Sequence, residues 1–266
     1  MAGPSYRYSF DNGDPIAARR HRILAEIGDP VTVARLEALG DLRGRRCLEL
    51  GAGAGSVAAW LAGRGAEVLA TDLDVRHLRA DRGYTVLRHD LTAEPVPESP
   101  WDLIHARLLL LHLPGREEIL RRLASALAPG GALLVEEWAS GYRGLVLAAP
   151  DPESAALVDR YQDVLVERLL PGNGHDPYWA GRVHGAMVEA GLTGVDTEIR
   201  AGSWAGGTAG ALLHAVNLVQ LREGFLAAGF SAAELDRLSA LCADPRLVVR
   251  GHLLYSTLGR ARRDAG

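Results

Sequence analysis

The feature that most constrains this chain is the run Cys47-Leu48-Glu49-Leu50-Gly51-Ala52-Gly53-Ala54-Gly55. It reads as a short buried strand whose end carries an acid, followed at once by three alternating glycines and then a helix over 56–63. Glycine serves where a backbone must turn tightly and come close to a ligand with no Cβ in the way. A turn at the C-terminal end of a first strand is also where open α/β sheets bind their ligands. The spacing is GxGxG rather than the GxGxxG of dinucleotide folds, because Ser56 stands where the last glycine would be. Two residues before Gly51, the Glu49 carboxylate would repel a pyrophosphate and suits a ligand with an amino group. The run therefore favours an amino-acid-bearing nucleoside over a nicotinamide dinucleotide.

Further segments follow in order. Hydrophobic-Glu-hydrophobic followed by the alternating glycines resembles motif I of the class I S-adenosylmethionine-dependent methyltransferases. Val68-Leu69-Ala70-Thr71-Asp72 resembles the second strand of that fold, and Arg88-His89-Asp90-Leu91 the segment after the third. Trp101-Asp102-Leu103-Ile104-His105-Ala106-Arg107 resembles the fourth strand, and Leu127-Ala128-Pro129-Gly130-Gly131 the turn before the fifth. These five segments in register span residues 42–138. Tyr8-x-Phe10-Asp11-Asn12 and the run from His105 to His112-Leu113-Pro114 resemble a bacterial small-molecule group within the class.

The resemblance implies a Rossmann-like α/β fold: a seven-stranded, mostly parallel sheet with helices on both faces and helical lid insertions. It implies S-adenosylmethionine as cofactor and S-adenosylhomocysteine as product. Gly51, Gly53, Gly55 and Glu49 would hold the methionine part, Asp72 with Leu73 the ribose side, and Asp90 with Leu91 the adenine. His105 would contact the methionine part through its backbone, and Tyr8 and Phe10 would close over the sulfonium by attraction to their ring faces. Asp74 is the rival acid to Asp72, and Asp90 has an alternative reading as the cap of the next turn.

Composition narrows the chemistry. The 29 Lys+Arg residues are all arginine, for the chain contains no lysine. That excludes Schiff-base, pyridoxal phosphate and P-loop chemistry, each of which needs a lysine amine. A general base, where the acceptor needs one, falls to His105, His112 or His175. Arg107, Glu137, Asp176, Tyr178 and Arg182 are the candidate acceptor contacts. Glu136 and Glu137 are neighbours on one strand, so they should point to opposite faces. A net charge of −4 argues against nucleic acid as the main partner. No run reaches the ~18 apolar residues of a membrane helix. The N-terminal stretch lacks the form of a signal peptide, and Cys47 and Cys242 suggest neither a disulfide framework nor a metal site. The expectation is a cytoplasmic enzyme with a small-molecule acceptor, no metal, no membrane and room for a homodimer.

In organisation the chain reads as one domain. Residues 1–40 form an N-terminal helical lid with helices over 15–27 and 30–39; residues 41–138 form the cofactor-binding core. Residues 139–176 are a lid insertion, and 177–266 complete the core around a helical insertion at 203–245. Strands are expected near 46–50, 67–71, 85–88, 101–106, 131–137, 194–200 and 247–257, and helices at 115–128, 153–170, 178–190, 207–228 and 231–242. The function expected is methyl transfer to a small molecule, with O-methylation of a secondary metabolite foremost. The alternatives are a cyclase-like enzyme that keeps the cofactor without methylating, and a nicotinamide oxidoreductase.

Overall fold

The structure, a computed structural model, describes residues 10, 12–98 and 100–263. The chain divides into two compact units, the first comprising 29–138, 179–199 and 254 onward, the second the segments up to 28, 139–178 and 200–253.

The elements in chain order are α1 (Ala17–Glu37), β1 (Arg46–Leu50), α2 (Ser56–Gly63), β2 (Glu67–Asp72), β3 (Thr85–Arg88), β4 (Trp101–Arg107), α3 (Arg116–Ser125), β5 (Leu127–Ala139), β6 (Val146–Ala148) and α4 (Pro152–Val164). They continue with α5 (Val183–Glu189), β7 (Thr193–Arg200), β8 (Ser203–Ala205), α6 (Ala209–Gln220), α7 (Arg222–Ala227), α8 (Ala232–Leu241), β9 (Val248–Arg250) and β10 (Leu253–Arg260).

Among the described residues, the first unit is built on a seven-stranded sheet of order β3-β2-β1-β4-β5-β10-β7. The pairs β1–β2, β1–β4, β2–β3 and β4–β5 are parallel. Crossover helices cover both faces of such a sheet, which is why β1 and β4 read as nearly continuous apolar runs. One face of the sheet presents Cys47, Leu103, Ala132 and Leu134, which pack with Leu36 of α1 and with Val57, Ala58 and Leu61 of α2. Strand alternation places Glu49, His105 and Glu136 on that same face, one step nearer the C-terminal ends of their strands. Glu49 lies directly opposite His105 in the β1–β4 register, and His105 lies opposite Leu134.

The second unit has its own core. Leu157, Val158, Tyr161 and Leu165 pack with Leu218, Phe225, Leu235, Leu238 and Val249. The Tyr161 and Phe225 rings stack with centroids 5.1 Å apart. Strands β6, β9 and β8 form a small antiparallel sheet there. The two stretches read as insertions, 139–176 and 203–245, both fall in this unit.

Several boundaries differ from expectation. One helix, α1, replaces the two expected ones, with Pro30 inside it. A proline forfeits one ladder bond and disfavours a helical residue before it, but the buried Leu36 beyond it anchors the continuation. Strand β5 starts at Leu127, but pairing with β4 steps from Trp101–Leu127 to Leu103–Ala132 and Gly130 has φ of 76°, so Pro129-Gly130-Gly131 still makes a turn, carried as a bulge inside the strand, and α3 stops at Ser125. The irregularity appears as a register shift between Trp101 and Leu103 of the paired strand. A Cβ on Gly131 would sit 2.7 Å from the Trp101 carbonyl oxygen, so the close approach requires glycine. The single last strand is two, β9 and β10, each in a different sheet. Helix 153–170 is α4 followed by a π-helical turn over Leu165–Leu169, and 178–190 is a 3-10 turn followed by α5.

Leu61, wholly buried between α2 and the sheet, sets the scale of this packing. Leu61→Ala removes a buried isobutyl group and should cost about 3 kcal/mol, read as a lower urea midpoint with unchanged slope.

Candidate active site

The site begins at the glycine loop. Gly51, Gly53 and Gly55 all have left-handed backbone, with φ of 60°, 56° and 74°. Three such residues at alternate positions let the chain reverse from β1 into α2 within five residues. A Cβ on Gly55 would lie 2.3 Å from the Tyr84 hydroxyl oxygen, and one on Gly51 2.9 Å from a Leu109 methyl. At both positions the direction a Cβ would take is already filled by a packed side chain, so the loop tolerates only glycine there.

Asp72, at the end of β2, faces the loop. Its carboxylate accepts the Gly53 N–H at 2.9 Å and the Asp74 N–H at 3.0 Å. Burial raises its pKa against the pull of those two donors. The next residue, Leu73, leaves 46% of its surface exposed, an apolar shelf beside an acid. Asp74 is occupied elsewhere: it caps the turn Val75–His77 and pairs with Arg76 at 2.8 Å. Beyond β3, the Asp90 side chain accepts the Thr92 N–H and hydroxyl at 2.9 and 2.6 Å, the capping arrangement, while Leu91 is buried.

The centre of the site is a buried ionic assembly. His105 Nδ1–H donates to Glu49 at 2.6 Å, and Nε2–H donates to Glu136 at 3.3 Å. Glu136 also accepts from the Thr32 hydroxyl and, at 2.7 Å, from the Ser256 hydroxyl. Burial would lower the His105 pKa, but the charges and hydrogen bonds of Glu49 and Glu136 overcome it and push it up to about 9. Burial would raise Glu136, yet its bonds to His105, Thr32 and Ser256 hold it below the usual carboxylate value. His105 therefore enters as an imidazolium with no lone pair to offer, and the expectation that it serves as a base does not fit this geometry.

Arg107 closes the network. It donates to the Thr32 hydroxyl at 2.8 Å and to Asp29 at 2.7 Å, and Asp29 also accepts from Ser56 Oγ at 3.0 Å. The guanidinium expected to orient an acceptor instead ties β4 and the start of α2 to the C-terminal half of α1. Leu108, immediately after it, has φ of 53°, a strained value for a leucine.

Glu137 turns to the other face of the sheet, as alternation requires. One oxygen accepts the Leu111 N–H at 3.2 Å; the other is buried with no hydrogen-bond partner among the described residues. Burial raises its pKa to about 8, against the N–H groups of residues 109–111 and the charge of Arg116. Being wholly buried, Glu137 cannot touch an acceptor as expected. His112 is buried in the turn Leu110–His112, which packs against the turn Trp179–Arg182. Arg182 lies 3.7 Å from Glu117 and over the Trp179 ring.

The other candidates fall in the second unit. His175 is buried with Nε2 at 3.5 Å from Ser140 Oγ, Asp176 accepts the Tyr178 N–H at 2.9 Å, and Tyr178 is 60% exposed. Phe10 is buried in that unit's core with the Arg20 guanidinium 3.8 Å over its ring, so its face is already taken by a cation. Tyr8 lies outside the described residues.

Sequence reasoning missed Asp29, Thr32, Ser56 and Ser256. Asp29 and Thr32, three apart on one helix with Leu36 four further on, share a face, which was a usable signal. Ser256 carried none. Among the described residues no group of three His, Cys, Asp or Glu side chains is arranged to hold a metal ion, and no helix is long and apolar enough to cross a membrane.

The chain is similar in sequence and fold to known proteins. A methyltransferase-domain family model matches residues 18–235. The methyltransferase str2 of Strobilurus tenacellus is 36% identical over 107 residues, 38% of this chain and 39% of that one. The ubiquinone biosynthesis O-methyltransferase of Burkholderia ambifaria is 26% identical over 157 residues, 56% of this chain and 63% of that one. These matches thus span less than two thirds of the relatives' own length. Among solved structures, a phosphoethanolamine N-methyltransferase of Haemonchus contortus bound to S-adenosylhomocysteine superposes with a TM-score of 0.58 at 18% identity, covering 98% of this chain and 62% of that one. The chain belongs to the class I S-adenosylmethionine-dependent methyltransferase family.

Glu137 yields a pH test. Its carboxyl holds its proton to about pH 8 when folded, whereas an unfolded glutamate releases it near pH ~4.3. Stability is therefore lost on this account as pH rises between those values. Glu137→Gln keeps the acceptor for Leu111 N–H without that penalty. It should melt at least ~2 °C above the parent at pH ~8, with the gap closing near pH ~4.

Proposed function

We propose that this protein binds S-adenosylmethionine at the C-terminal ends of β1 and β2 and methylates a hydroxyl of a small secondary metabolite. The observation that carries the reading is the facing pair of the left-handed glycine loop Gly51–Gly55 and the half-buried Asp72 carboxylate, with Glu49 at the loop's root. These residues fit the cofactor's parts. The backbone of Gly51–Gly55 gives close approach, Asp72 can accept from two ribose hydroxyls once it exchanges the Gly53 N–H, Leu73 offers an apolar surface to the base, and Glu49 an anion to the ammonium.

Bound cofactor supplies an activated methyl group on a sulfonium, so the protein's share of the chemistry is positioning and exclusion of water. Arg107 and Asp29 would hold α1 over the loop's helix. A hydroxyl acceptor must also give up its proton. With both His105 nitrogens engaged by carboxylates, His112 remains the candidate base in this unit, with Arg182 as a candidate acceptor contact. The likeness to an O-methyltransferase of ubiquinone biosynthesis supports oxygen as the accepting atom.

Calorimetric titration tests the cofactor site. S-adenosylmethionine and S-adenosylhomocysteine should both bind, and Asp72→Ala should weaken each by at least ~10-fold, the worth of a charge-assisted pair of hydrogen bonds. Absence of binding to the intact protein refutes the reading. Release of S-adenosylhomocysteine with a small hydroxylated acceptor, lost in His112→Ala, would identify the base.

A further inference from the structure

Glu49, His105 and Glu136 sit side by side on β1, β4 and β5, and they are not equally accessible. The His105 and Glu136 side chains are 0% exposed, whereas Glu49 keeps 5% of its side-chain surface open, two residues before the loop. Among the described residues, Glu49 is thus the member of the assembly with surface open toward the loop. We propose that His105 is a positioning residue for the amino-acid half of the cofactor: its ring, held between two carboxylates, fixes Glu49 and leaves the assembly a single net negative charge for the ligand's ammonium. This rests on the cofactor reading above and assigns His105 a part in it that needs no contact with the ligand.

The surroundings support a fixed charge. From α1, Thr32 donates to Glu136; from β10, Ser256 does the same. With His105 included, Glu136 accepts three hydrogen bonds, which keep it ionised in the interior. Arg107, behind Thr32, directs its charge to Asp29. The groups that face His105 thus sum to minus one: two carboxylates and one imidazolium. Without the imidazolium, two neighbouring buried carboxylates could not both stay ionised. Without Glu136, the remaining pair would be neutral and would hold an ammonium poorly.

The second case gives a test that a merely structural role would not pass. S-adenosylhomocysteine is titrated alongside 5′-methylthioadenosine, which has the nucleoside but no amino-acid half. In the parent protein the homocysteine derivative should bind at least ~10-fold tighter, with a ratio that stays flat from about pH 6 to about pH 8. Glu136→Gln should bring the two ligands to within a few-fold at about pH 6, with methylthioadenosine affinity unchanged. Its ratio should then climb with pH, because His105 with one carboxylate fewer loses its proton earlier and restores the net negative charge. A pH-independent ratio in this variant overturns the proposal.

Ring-nitrogen NMR shifts of the parent protein, with the His105 signal assigned by its loss in His105→Gln, give a second readout that survives any misfolding of Glu136→Gln. An imidazolium at about pH 7 supports the proposal, and a neutral ring there overturns it. If the parent binds both ligands equally, the proposal fails while the cofactor reading stands. If it binds neither, both fall together.

Discussion

Three ionisable side chains share the middle of the sheet, and the histidine between the two carboxylates is what makes their burial tolerable. Taking a carboxylate out of water costs several kcal/mol, and the cost is offset only by good geometry and a full set of hydrogen bonds. His105 supplies one donor to each side, and Thr32 and Ser256 complete Glu136. The direct register of Glu49 against His105 follows from β1–β4 pairing, so one strand alignment fixes both the central packing and the ionic assembly. A one-residue slip would turn all of these groups to the opposite face.

Around that centre the backbone departs from ordinary conformations where the ligand ends of the strands lie. The three left-handed glycines after β1 are matched by Leu108 after β4, which has no glycine's freedom and yet adopts a positive φ. Such strain persists where neighbouring structure over-determines it. Here Arg107 is tied to Thr32 and Asp29 on one side, and the Leu108 N–H is bonded to the Glu136 carbonyl at 2.8 Å on the other. Arg107 and the Leu108 amide are thus held before the Leu108 torsion is considered.

What the sequence made legible was whatever is local. The strand-loop-helix of residues 46–63, the acid at 72 and the sheet class all follow from spacing and residue type. The opposed faces of Glu136 and Glu137 follow from strand alternation alone. Contacts across long stretches of chain were not legible: Thr32 to Glu136 spans 104 residues and Ser256 to Glu136 spans 120. Roles of charged residues were misread for the same reason. Arg107 and His105 looked available in sequence because their partners, Asp29 on α1 and Glu136 on β5, are brought in by tertiary packing. The small sheet of β6, β8 and β9 was hidden differently, since strands of three residues carry no measurable periodicity.

Glu136 and Glu137 show how completely surroundings decide the state of identical side chains. They are consecutive, wholly buried and of the same chemistry, yet one is held ionised and the other protonated at neutral pH. The difference lies in the donors. Glu136 meets a cation and two hydroxyls, whereas Glu137 meets the backbone N–H groups of residues 109–111 and, among the described residues, leaves one oxygen without a hydrogen-bond partner. Widely separated pKa values in neighbouring acids often mark an acid–base pair, but that inference needs the two groups to share a space. Here the sheet itself stands between them, so the divergence reflects how charge is placed. The strand carries one negative charge toward the loop face, where an ammonium can use it, and none toward the other face, where burial outweighs the pull of Arg116 and the backbone N–H groups.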